Sequence, residues 1–153
     1  MYTGLLHLHN FLRWVILILL VIALVRHYRG MNARASYTPG DRKIDLFLMI
    51  ASHTMLLIGL YQWFAGPLGL KNIQALGFGE VMKNASFRFF AVEHFVGMLI
   101  AIILITIGRA AGKPATAGVA QHKKAFTLFL VALILILISI PWPFREAVAR
   151  PII

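Results

Sequence analysis

Four long apolar stretches alternate with shorter polar ones along the chain. The first runs from about Leu5 to Val25 (5–25) and ends in the aliphatic run VILILLVIALV. The second covers about Ile44 to Ala65 (44–65), the third about 89–109 and the fourth about 125–141. Each is about 18–22 residues, long enough to cross the hydrocarbon of a bilayer as a helix. The pattern predicts an all-α fold, an integral membrane four-helix bundle, with 1–153 as a single transmembrane domain. Between the spans, Arg26 to Lys43 reads as a loop broken by Gly30, Pro39 and Gly40. Gly66 to Arg88 reads as the longest loop, with a short interfacial helix over Asn72 to Met82. A Gly/Ala/Pro linker, GRAAGKPATAGVAQHKK, separates the last two spans, and Pro141 and Pro143 stop the fourth.

Composition agrees with this pattern. Of the 153 residues 60% are hydrophobic and 13% charged, and the mean hydropathy is +0.82. A net charge of +10 raises the question of nucleic acid. The basic residues sit at the ends of apolar runs, however, so they read as topology signals and contacts to anionic head groups of the lipid bilayer, with no nucleic acid partner. Nine of the 15 Lys and Arg residues fall in the loops at 26–43 and 109–124. The positive-inside rule therefore puts those loops in the cytoplasm and both termini on the outer side. The absence of cysteine excludes Cys-held iron–sulfur clusters, disulfides and covalently attached haem. The first span lacks a basic n-region and an A-x-A-like site, so it is expected to be retained rather than cleaved.

Polar residues inside the spans carry the candidate chemistry. Glu93 and His94 stand side by side in the third span, and Gly97, Met98, Ala101 and Ile105 follow on the His94 face. A flat cofactor could lie on that face with His94 as axial ligand, or the small residues could simply let two helices approach. His9 and Arg13 lie one turn apart in the first span. Spans one and three enter from the same side, which places His9 and His94 about 6–8 Å below the outer edge. Arg13 then falls near the level of Glu93, and an ion pair between them is expected. His53 lies near mid-span on a leucine-rich face, about 16 Å down. His27, in a basic setting, reads as a solvated or head-group histidine, and His122 lies at the inner surface. Imidazoles on separate helices beside aliphatic faces suit bis-histidine haem b better than zinc or copper, which need three or four converging ligands. The Arg13 fork suits a haem propionate.

The segments LHLHNFLRWVILILL, EHFVGMLIAIILITIGRA and HKKAFTLFLVALILI resemble the small bacterial four-helix membrane cytochromes b. His94, Gly97 and the Gly108-Arg109 pair approximate that family's H-x-x-x-G and terminal arginine, with Gly97 one residue early. The resemblance implies non-covalent haem b, one or two per chain, in a bacterial inner (cell) membrane protein. It also implies electron exchange with quinol/quinone or a redox partner. By position, His9, His53, His94 and His122 become the candidate metal ligands, with Arg13 as a further cofactor contact. Competing expectations are a haem-free structural or accessory subunit of a larger membrane complex, and a small transporter or proton channel using Arg13, Glu93 and His53 as a relay. A homo-oligomer or a place in a larger assembly is expected in either of the first two cases.

Overall fold

The computed structural model describes residues 2–113 and 118–149. Residues 114–117, the middle of the expected linker, and 150–153, the end of the expected outer tail, lie outside the described residues. Helix α1 spans Tyr2–Asn32 and α2 spans Pro39–Ala65. Three short helices follow: α3 at Leu70–Leu76, α4 at Phe78–Lys83 and α5 at Ala85–Arg88. A π-helical turn over Phe89–Glu93 runs directly into α6, His94–Ala110, and α7 spans Val119–Ser139. No strand occurs among the described residues. Four segments are long and apolar enough to cross a membrane: Tyr2–Asn32, Pro39–Leu76, Ala85–Ala110 and Val119–Ser139. The chain thus has the architecture of an all-α, multi-pass membrane protein.

The long helices pack in a ring, α1 on α2, α2 on α6, α6 on α7 and α7 on α1. Leu20, Leu48, Ile105 and Phe129 are fully buried between them, with Ala23, Ala101, Ala125 and Ala132 at the close contacts. Small residues suit this role, because lipid tails are as apolar as leucine and helices associate through close packing instead. Gly108 admits the Phe129 ring, and Gly97 meets the Ser139 side chain. The small face at Gly97 and Ala101 is therefore filled by α7 and offers no slot for a flat ring. Phe11, Ile18, Leu57 and Ile138 face outward, as a lipid-facing surface requires.

The loop expected over 26–43 shrinks to 33–38. Helix α1 continues through its basic end to Asn32, and α2 begins at Pro39. A capping box sets that start. Thr38 Oγ1 accepts from the Asp41 amide at 3.2 Å, and the Thr38 amide donates to Asp41 Oδ2 at 2.8 Å. Pro39 follows at the first helical position, where its missing N–H costs nothing. Arg26 Nε donates to Asp41 Oδ1 at 2.7 Å and ties α1 to the cap. The single interfacial helix expected over 72–82 is two helices broken at Gly77, whose φ of 82° favours glycine. At the far end of α7, Arg145 Nη1 donates to the Ile138 carbonyl at 2.7 Å and Trp142 Nε1 to that of Leu137 at 2.8 Å. These bonds occupy carbonyls that the helix itself leaves open.

Candidate functional site

A cavity of about 490 Å³ opens among the start of α1, the end of α2, α6 and the end of α7. Its size falls inside the roughly 300–1,000 Å³ of ordinary ligand pockets. Its wall is mainly apolar, from Ile16, Met55, Leu60, Phe95, Met98 and Ile102, with polar groups converging from His9, Arg13, Gln62 and His94.

The two histidines stand on different helices. Their ring centres are 6.3 Å apart and the planes inclined by 54°. His94 Nδ1 donates to the Ser139 carbonyl at 2.7 Å. A carbonyl only accepts, so Nδ1 carries the proton and Nε2 keeps its lone pair, the arrangement in which a metal-ligating histidine is held by its surroundings. The His9 ring packs beside Gly59, where an added Cβ would stand 3.5 Å from Cε1. His9 Nδ1 is buried without a hydrogen-bond partner, and so is Gln62 Nε2. A buried imidazole nitrogen left unmatched in this way is costly unless something fills the space beside it. Both rings line the same cavity, so His9 and His94 are the two imidazoles that could hold a metal-bearing group there.

The entry to α6 is shaped by the π turn over Phe89–Glu93. Such turns are rare, leave backbone groups out of register and recur at functional sites. Trp63 Nε1 donates to the Ala91 carbonyl at 2.9 Å, and its ring stacks on Phe95 at 5.1 Å and 26°. Trp63 thus braces the turn that sets the direction of His94. The bracing role leaves no signal in the sequence, because the partner is a backbone carbonyl 28 residues away.

Other expected site residues lie elsewhere. His53 is on the outside of the bundle and its Nδ1 donates to the Met49 carbonyl of its own helix at 2.8 Å. One helical step of 100° separates it from Ser52, which does face inward, so His53 joins neither His9 nor His94. Glu93 pairs with Arg88 at 2.6 Å, so the expected Arg13–Glu93 pair gives way to a contact made within the turn's own neighbourhood. Arg13 is buried on the cavity wall, with its guanidinium 5.5 Å from the centre of the Trp14 ring.

His122 and His27 require the largest corrections. Neither is wet: they are 1% and 0% exposed. At the end of the bundle opposite the cavity, His27 Nδ1 and His122 Nδ1 are 2.9 Å apart. His27 Nε2 lies 3.0 Å from Asp45 Oδ1, and the Tyr37 hydroxyl donates to Asp45 Oδ2. His122 Nε2 faces the Ser36 carbonyl at 3.4 Å, and the His122 ring stacks on Tyr37 at 4.6 Å and 18°. Both His122 nitrogens are occupied, which removes it from the set of open axial ligands. Among the described residues no three His, Cys, Asp or Glu side chains group as a metal-ion site. Sequence reasoning missed Asp45 and Tyr37 entirely. No family model, curated protein or solved structure matches this chain.

Proposed function

We propose that the protein is a membrane-embedded haem b electron-transfer protein that exchanges electrons with quinol/quinone or a redox partner at its cavity end. The supporting observation is the pair of inward imidazoles, His9 and His94, 6.3 Å apart across an apolar cavity. Haem iron would supply reversible one-electron chemistry. His9 and His94 are the residues to hold it, and the Ser139 carbonyl fixes the His94 tautomer. Met98, Phe95 and Ile102 give the cavity an apolar wall, which suits a hydrophobic ring. Arg13, on the same wall, suits a propionate. His53 and His122 are no longer available for a second ring at this site, so the proposal is one haem, not two. The cavity end is assigned to the outer face of a bacterial inner membrane, with both termini outside, because the basic loops gather at the other end.

The test is the reduced-minus-oxidised absorption spectrum of the purified full-length chain supplied with haem. The wild type is expected to give a haem b band that both His9→Ala and His94→Ala weaken or abolish, while His53→Ala retains it. A folded, colourless wild type would refute the proposal and leave the accessory-subunit reading.

A further inference from the structure

The buried cluster at the 33–38 end sets two imidazoles against each other and against a buried carboxylate. Tyr37 is outside the spans, and burial first, then its bond to Asp45, pushes its hydroxyl up, so it stays protonated and donates. Asp45 Oδ2 therefore accepts a hydrogen bond from Tyr37, while Asp45 Oδ1 at 3.0 Å and the Tyr37 oxygen at 3.3 Å both face His27 Nε2. A carboxylate in that position accepts, which makes His27 Nε2 a donor. The two facing Nδ1 atoms, 2.9 Å apart, need one proton between them. His122 Nε2 faces the Ser36 carbonyl, an acceptor only, so it too carries a proton. Two imidazoles then share three N–H protons, one more than a neutral pair holds.

We propose that His27 and His122 together hold one excess, exchangeable proton, counter-charged by Asp45, as a buried proton-relay site. The proton moves along the Nδ1–Nδ1 line: it leaves His122 Nδ1, bonds to His27 Nδ1, and the positive charge passes from one ring to the other. No atom is gained or lost and no electron is transferred. From the charged His27, Nε2–H can pass to Asp45 Oδ1. On the opposite side, His122 Nε2 faces the carbonyl of Ser36, a residue at the surface.

Three features favour an imidazolium over a neutral pair. A carboxylate 1% exposed needs a nearby positive charge. Of the other charged groups here, Arg26 of α1 is already engaged by Asp41 of α2 at 2.7 Å. Arg109 of α6 acts on Tyr37 from a distance, and its Nε has no hydrogen-bond partner. The His27–His122 pair touches Asp45 directly, through His27 Nε2 at 3.0 Å. Gly30 packs directly on the His122 ring and Gly112 on the Tyr37 ring, so the cluster is tightly walled. The chemistry is independent of what fills the His9–His94 cavity.

The experiment is nitrogen NMR of the full chain in lipid nanodiscs, with histidine labelled by the heavy nitrogen isotope, at neutral pH. Wild type is expected to show three protonated ring nitrogens in the His27–His122 pair and one strongly deshielded shared proton. Asp45→Asn, which keeps shape but removes the counter-charge, is expected to show two. Two protonated nitrogens in the wild type would overturn the proposal, and so would three that persist in Asp45→Asn. The wild-type count stands alone if the variant does not fold.

Discussion

Gly30→Ala is the sharpest test of how tightly the 33–38 end is packed. An added Cβ would stand 2.6 Å from His122 Cε1 and Nε2 and 2.7 Å from Nδ1. That is about 0.8 Å inside the 3.4 Å at which ordinary contact begins. The ring has little freedom to retreat, because it is stacked on Tyr37 at 4.6 Å and engaged at both nitrogens. Overpacking of this kind costs about 1–3 kcal/mol. Opening the His27–His122 bond leaves buried polar atoms unmatched, at about 1–3 kcal/mol more. Alanine in a helix interior recovers about 1 kcal/mol relative to glycine. The net is a loss of about 3 kcal/mol, or roughly 6–12 °C in Tm for a chain of this length. Circular dichroism melts in one detergent, against wild type, measure it. Gly4→Ala is the control: nothing lies within 4 Å of its added Cβ, so it is expected to be neutral or stabilising. A Gly30→Ala protein that melts at or above wild type would refute the packing argument, and with it the rigid geometry on which the proton count rests.

Two further outcomes are expected. Trp63→Phe removes the donor to Ala91 while keeping the ring on Phe95; if the turn aims His94, haem affinity should fall about 10–100-fold, as for other supports of a ligating histidine, and a haem titration with unchanged affinity would deny Trp63 that role. Thr38→Ala breaks the capping box of α2 and is expected to cost about 0.5–2 kcal/mol, read as a lower melting temperature with unchanged helix content.

Sequence patterns carried the spans well, because long apolar runs bounded by prolines and basic clusters admit few other folds. Helix ends were less legible. Thr38, Pro39 and Asp41 form a helix-start signature that punctuation by Pro39 and Gly40 disguised as a turn. His27 looked wet beside Arg26 and Arg29, yet it continues the buried stripe of Leu20, Ala23 and Leu24 by helical steps of three and four. Asp45 likewise heads the stripe of Leu48, Ser52 and Met55, while His53 falls one position off it. Extending the periodicity past the apolar run would have found both inward groups. No local pattern could pair His27 with His122, since that contact joins residues 95 apart.

The two polar clusters stand at opposite ends of the bundle, and the buried layer between them is Ile16, Leu20, Leu48, Ile105 and Phe129. Ser52, the polar exception there, spends its hydroxyl on the Leu48 carbonyl at 2.7 Å. Such a layer behaves as an insulator, across which most of the voltage of an energised membrane must drop. Carrying one elementary charge from one end to the other would cost or yield about 2.3 kcal/mol per 100 mV.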